Sequence, residues 1–182
     1  MDHAGLAAPS PWVTRFTPLI APGGTVLDVA CGSGRHVRWF SQAGFKVTGV
    51  DRDAAALAPL QELAEGIVAD LEGAPWLLGD RRFDAVVVTN YLWRPLLPRL
   101  LAALTPGGVL LYETFAQGNE TVGRPSRPDF LLRPGELLEA AQGLRVVAFE
   151  DGYLANPPRF VQRIAALAFD PAAAGPVRAA LA

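Results

Sequence analysis

The sequence predicts an α/β fold: a doubly wound, seven-stranded sheet, mostly parallel, with an antiparallel last strand. Three observations carry this reading. Apolar strand-like runs alternate with helix-like stretches, the pattern of a parallel sheet covered by helices. The run "FDAVVVTN" at 83–90 is almost continuously apolar, as a central strand buried on both faces must be. The last two strand-like runs are joined by too few residues for a helix, so they pair antiparallel.

Each element follows in order. "TVLDVA" (25–30) is a buried strand, and "GRHVRWFSQAG" (34–44) a helix with Val37, Phe40 and Ser41 on one face and Gly44 as its stop. "KVTGV" (46–50) is the second strand, ending on Asp51-Arg52-Asp53. "AAALAPLQELAE" (54–65) has helical composition, with Asp53 as cap and Pro59 kinking or shortening it. "GIVAD" (66–70) is a short third strand, and 83–90 the fourth. "RPLLPRLLAALTPGG" (94–108) is a helix closed by a Pro-Gly-Gly turn, leading to the fifth strand, "VLLYETF" (109–115). "PGELLEAAQG" (134–143) is a helix started by Pro134 and stopped by Gly143. "LRVVAFEDG" (144–152) and "RFVQRIAALAF" (159–169) are the antiparallel pair. The Ala-rich end, 171–182, is expected to fray. Residues 1–182 read as one domain, with 1–22 as an N-terminal cap segment.

Composition narrows the function. The chain is 51% hydrophobic and 19% charged, which is globular rather than disordered. A formal net charge of -2 gives no broad attraction to nucleic acid or anionic membrane. One cysteine, Cys31, excludes an internal disulfide, and with two histidines, His3 and His36, argues against a zinc site. The start lacks the basic-then-apolar pattern of a leader, and no apolar stretch nears the ~18 residues of a membrane span. A cytoplasmic location is the expectation.

Polar residues collect where such a sheet binds ligands, beyond the carboxyl ends of its strands. The loop 31–34, Asp51, Asp70 and Asn90 stand at four strand ends. Singly, each has an ordinary reading as a turn or helix cap; together they mark a site. Two cofactor classes compete for it. A dinucleotide loop needs G-x-G-x-x-G. Gly32 and Gly34 supply the first two glycines, but Val37 occupies the third position.

"VLDVACGSGRH", "VTGVDRD", "VADLE", "FDAVVVTN" and "LTPGGVLLYETF", in that order, resemble the class I S-adenosylmethionine-dependent methyltransferases over roughly residues 20–170. The stretch from Ala30 to Asp53 is most similar to the small tellurite-resistance and thiopurine branch. The resemblance implies a Rossmann-like sheet, S-adenosyl-L-methionine as cofactor and methyl transfer as activity. It places Asp28, Ala30, Gly32 and Gly34 along the methionine end of the cofactor and Asp51 on the ribose hydroxyls. Arg52 would lie along the adenine, Asp70 and Leu71 at its edge and face. Asn90 and Tyr91 would sit beside the sulfonium as the catalytic pair. Many members carry glycine where Ala30 stands. Cys31 reads as a small filler, with nothing beside it that would activate a thiolate.

Methyl transfer needs an acceptor atom held in line at roughly 3 Å, so positioning supplies most of the catalysis and no acid-base triad is required. "TNYLWRP" lacks the Asn/Asp-Pro-Pro-Tyr/Phe signature that members use on planar amino groups. That absence, with a pI of 5.7, argues against nucleic-acid acceptors and for a small molecule. The polar loop "AQGNETVGRPSRPDFLLR" (116–133) leaves the sheet at the same edge and reads as a substrate lid. Arg124 and Arg127, with Arg133, either bind an anionic acceptor or tie the loop down. Glu113, Tyr153 and Arg159 face either the cleft or solvent. Trp12 and Phe16 either close over the cofactor or pack in the core, and Trp76 either shields the adenine or fills a gap. Two rival functions share these motifs: a cofactor-binding assembly factor without activity, and an RNA or protein methyltransferase.

Overall fold

The computed structural model describes residues 8–173 and Ala179. Most of the Ala-rich end, expected to fray, lies outside the described residues, as does His3. Seven strands form one sheet: β1 (Thr25–Val29), β2 (Lys46–Asp51), β3 (Glu65–Val68), β4 (Phe83–Thr89), β5 (Leu104–Phe115), β6 (Arg145–Ala155) and β7 (Pro158–Leu167). Their order is β3-β2-β1-β4-β5-β7-β6. The first five run parallel, and β7 inserts antiparallel between β5 and β6. The order reverses between β1 and β4, so the ligand-binding crevice falls beyond Val29 and Thr89.

Period-two alternation splits the strands between two cores. Val26, Ala85 and Val87 join one cluster; Leu27, Val86 and Val88 join the other. The first cluster is covered by α1 (Pro11–Phe16), α2 (Arg35–Gln42) and α3 (Ala54–Leu57), through Val13, Phe40 and Leu57. The second is covered by α4 (Leu97–Ala102) and α5 (Glu136–Ala140), through Leu100 and Leu137. Trp12 and Phe16 are core residues, and the Trp12 indole N–H donates to the Ile164 carbonyl at 3.1 Å.

The helices are shorter than their composition predicts, because prolines interrupt them. Pro59 turns the end of α3 into a 3-10 turn over Ala58–Leu60. Pro95 similarly begins a 3-10 turn, Arg94–Leu96, before α4. The predicted Pro-Gly-Gly turn is absorbed into the start of β5, where the register jumps from Phe83↔Leu104 to Ala85↔Val109. Asp53 caps α3 as expected, its Oδ1 accepting from the Ala55 and Ala56 amides at 2.9 and 3.3 Å.

Candidate active site

The glycine loop is shaped by backbone conformation. Ala30 (φ 53°), Gly32 (φ 53°) and Gly34 (φ 77°) all lie in the left-handed region. The two glycines serve different needs. A Cβ on Gly32 would meet nothing within 4 Å, so that residue leaves an open cradle. A Cβ on Gly34 would lie 2.4 Å from Leu60 Cδ1, so that glycine admits the turn after α3. Val37, where a third glycine would stand in a dinucleotide loop, is fully buried in the core. Cys31 is buried too, and burial pushes its thiol pKa up, which fits a filler.

Asp51 locks this loop to the end of β2. Its Oδ2 accepts from the Gly32 amide at 2.7 Å and its Oδ1 from the Asp53 amide at 3.0 Å. Carboxylate oxygens accept more than one bond, so lone pairs remain for a ligand. Beside it lies a cavity of about 160 Å³ lined by Ala30, Asp51, Arg52, Asp70, Leu71 and Tyr91, among others. Asp70 is held by the Glu72 amide at 3.0 Å. The Tyr91 hydroxyl is buried without a hydrogen-bond partner, and burial followed by the charges of Glu72 and Asp70 raises its pKa. It therefore stays protonated, a donor waiting for an acceptor.

Asp28 sits under the loop, fully buried in β1, with Oδ2 unpartnered. Burial raises its pKa to about 7, Arg35 opposing and Asp51 adding to the shift. Asn90 takes φ 55° at the end of β4, a conformation asparagine tolerates, and its backbone amide donates to the Glu113 carbonyl at 2.9 Å. A larger cavity of about 230 Å³ adjoins through Ala69, Leu71 and Glu72 and is lined by the segment 71–78. Trp76 lines it and donates to the Gly79 carbonyl at 3.1 Å. The smaller cavity is the one the motif residues share.

Beyond β4 the edge is made of long-range side-chain contacts that sequence reading did not anticipate. The Ser10 hydroxyl donates to Glu113 Oε1 at 3.0 Å, and its amide donates to His36 Nε2 at 3.0 Å. His36 is buried and neutral; burial, then Arg35, lowers its pKa to about 3. Ser10 is marked locally only as the cap of α1 before Pro11, its Oγ accepting from the Trp12 amide at 3.2 Å; its bonds to His36 and Glu113 form only when α1 and α2 pack on the sheet. The loop 116–133 is stitched down at both ends. Leu132 donates to the Phe115 carbonyl and Gln117 to that of Leu132. Asn119 bonds Pro125 O and the Phe160 amide. Arg94, just past β4, reaches the Asp129 and Leu131 carbonyls, both at 2.8 Å, and pairs with Glu136 at 2.6 Å. Arg133 pairs with Glu136 and Glu139 and so ties the loop to α5. Arg124 is exposed; Arg127 pairs with Asp129 at 2.9 Å over the Phe130 ring. Neither lines the 160 Å³ cavity.

Residues 26–108 match a protein-family profile described as "Methyltransferase domain". Over these residues the chain is similar to methyltransferases. Among curated proteins, the chain is 36% identical over 103 residues to the malonyl-acyl-carrier-protein O-methyltransferase of Pectobacterium atrosepticum. That alignment takes in 52% of this chain and 40% of the relative, so the chain spans well under half of it. In structure it is similar to TehB from Haemophilus influenzae, with a TM-score of 0.75 and 20% identity over 90% of this chain and 63% of that one. It is also similar to 1,6-didemethyltoxoflavin-N1-methyltransferase from Burkholderia thailandensis, with a TM-score of 0.65 and 19% identity over 88% and 77% of the two chains. The methyltransferase fold is thereby shown, antiparallel end included. No helix among the described residues is long and apolar enough to cross a membrane.

Proposed function

We propose that this chain transfers a methyl group from S-adenosyl-L-methionine to a small-molecule acceptor. The observation that carries the reading is one cavity, at the reversal of strand order, shared by Ala30, Asp51, Arg52, Asp70, Leu71 and Tyr91. These residues fit the cofactor. Gly32 leaves room for close approach, and Asp28 Oδ2 is a buried acceptor with no partner. Asp51 takes the ribose hydroxyls on its remaining lone pairs. Arg52 flanks the adenine, and Asp70 and Leu71 meet its edge and face. Asp28 and the backbone of Ala30, Gly32 and Gly34 hold the methionine end.

The cofactor supplies an activated methyl on a positive sulfur. The protein supplies placement. Asn90, at a fixed strand end, and Tyr91, whose hydroxyl remains protonated, orient the reacting groups and do not act as bases. The loop 116–133 covers the acceptor, with Arg124 and Arg127 contributing positive charge at its rim. Three curated relatives, named malonyl-acyl-carrier-protein O-methyltransferase, support an acceptor bearing an acid, though theirs is carried on a protein.

Calorimetry tests the cofactor: S-adenosylhomocysteine should bind and NAD should not, and the reverse would end this reading. Once turnover against a metabolite pool identifies the acceptor, Arg124→Ala with Arg127→Ala should raise its KM several-fold. Cofactor affinity should not change. Unchanged constants would make these two arginines ordinary surface residues.

A further inference from the structure

Arg159 and Arg163 lie four residues apart on β7, on the face that packs against α1. Their circumstances differ. Arg163 is fully engaged: Nη1 donates to Glu113 Oε2 at 3.3 Å, Nε to Glu150 Oε2 at 2.8 Å, and the guanidinium lies 4.8 Å over the Trp12 ring. Arg159 has its Nε buried with no hydrogen-bond partner. Its one ion-pair contact among the described residues is Glu113 Oε1, at 3.9 Å. That oxygen already accepts from Ser10. A buried, unused guanidinium N–H is costly unless something fills it.

The position is instructive. Glu113 is the register partner of Thr89 and receives the Asn90 amide through its carbonyl, so Arg159 stands at the same edge as the proposed catalytic pair. A second cation stands near the end of β4. Arg35 Nη2 makes a marginal 3.4 Å bond to Thr89 Oγ1. Strands lie about 4.8 Å apart, so β7 is roughly 10 Å from β4. That span suits a small organic molecule with its charged end on β7 and its reacting end by Asn90.

We infer that Arg159, supported by Arg35, is the anchor for a carboxylate on the methyl acceptor. The inference rests on the methyltransferase reading of the site. The unpartnered Nε–H and the Nη2–H beside it, which lies 3.9 Å from Glu113 Oε1, form the two parallel donors of the guanidinium fork and match the two oxygens of a planar carboxylate. Glu113 stands beside them and repels additional negative charge, so a monoanion fits better than a dianion such as phosphate. The Arg159 side chain is 21% exposed while its Nε is buried, so a carboxylate reaches the Nε–H only by moving the atoms that cover it.

The test uses the full chain, 15N-labelled and saturated with S-adenosylhomocysteine, titrated with benzoate, with its neutral isostere benzamide, and with inorganic phosphate. Benzoate should shift the Arg159 Nε–H resonance and bind at least tenfold tighter than benzamide. Arg159→Gln should weaken benzoate at least tenfold, and Arg159→Lys, which keeps the charge without the fork, should weaken it by less. S-adenosylhomocysteine affinity should stay within twofold in both variants, which also reports that they fold. Equal binding of benzoate and benzamide, or benzoate binding indifferent to Arg159, would overturn the inference. So would phosphate binding as tightly as benzoate, since the site would then not select a carboxylate. Failure of S-adenosylhomocysteine to bind would instead count against the methyltransferase reading. The benzoate titration on the cofactor-free chain would then still decide whether Arg159 holds a carboxylate.

Discussion

The two halves of the cleft are held together differently. At the ends of β1, β2 and β3 the site is made from backbone and from partners close in the chain: Gly32 and Asp51 are 19 residues apart. At the ends of β4, β5 and β7 it is made from side chains that meet across long separations. Ser10 and Glu113 are 103 residues apart, Arg163 and Glu113 are 50 apart. The first half can be stated as a motif because its geometry is local. The second half has no motif, and its side chains can change while the local half stays the same.

The sharpest way to break that contrast is to remove the residue on which the local half depends. Asp51→Ala releases the Gly32 and Asp53 amides and, on the proposed function, would also remove two charge-assisted bonds to the ribose, each worth roughly 1.5–3 kcal/mol. S-adenosylhomocysteine should bind about 100-fold more weakly, or worse, by calorimetry. An unchanged dissociation constant in a folded variant would take Asp51 out of the site.

A second comparison sets one buried group from each half against the other. Asp28 titrates near 7 when folded instead of 3.8, so between those values the folded state holds a proton the unfolded chain has lost. Stability from this group therefore falls as pH rises through that window. His36 titrates near 3 instead of 6.5, so the unfolded chain holds the extra proton and stability rises with pH. Each slope is about 1.4 kcal/mol per pH unit, and they oppose over roughly pH 4–6.5. Relative to wild type, Asp28→Asn should make stability climb with pH across this range and His36→Gln should make it fall. Urea unfolding at several pH values reads both slopes; the same sign in the two variants would refute the assignment.

The smallest effect concerns backbone strain in the local half. Ala30 holds φ 53°, where a Cβ costs roughly 1 kcal/mol that glycine avoids. Ala30→Gly should raise the melting temperature by about 2–4 °C, less what the more flexible unfolded chain takes back. Cofactor affinity should not move. A lower melting temperature would show that the surrounding loop already compensates the strain.

Strand positions were legible from periodicity to within a few residues at most ends, because a strand buried on both faces has few alternatives to an apolar run. Asp53 as a cap and Pro59 as a helix breaker were legible for the same local reason. The start of β5 was not. "TPGG" has the composition of a turn, yet pairing with β4 and the bonds from Thr105 to Asp84 and Phe83 hold it at the sheet. Trp12 and Phe16 had two readings on composition alone, and packing of α1 chose the core. The sequence determined the order of elements, the left-handed glycine loop and the acid after β2, since each is a demand on a few consecutive residues. Tertiary structure alone decided that Ser10 meets His36 and Glu113, and that Arg163 is consumed by carboxylates while Arg159 is left open. Those pairings depend on the register of β7 against β5 and on where α1 packs, which no short segment specifies.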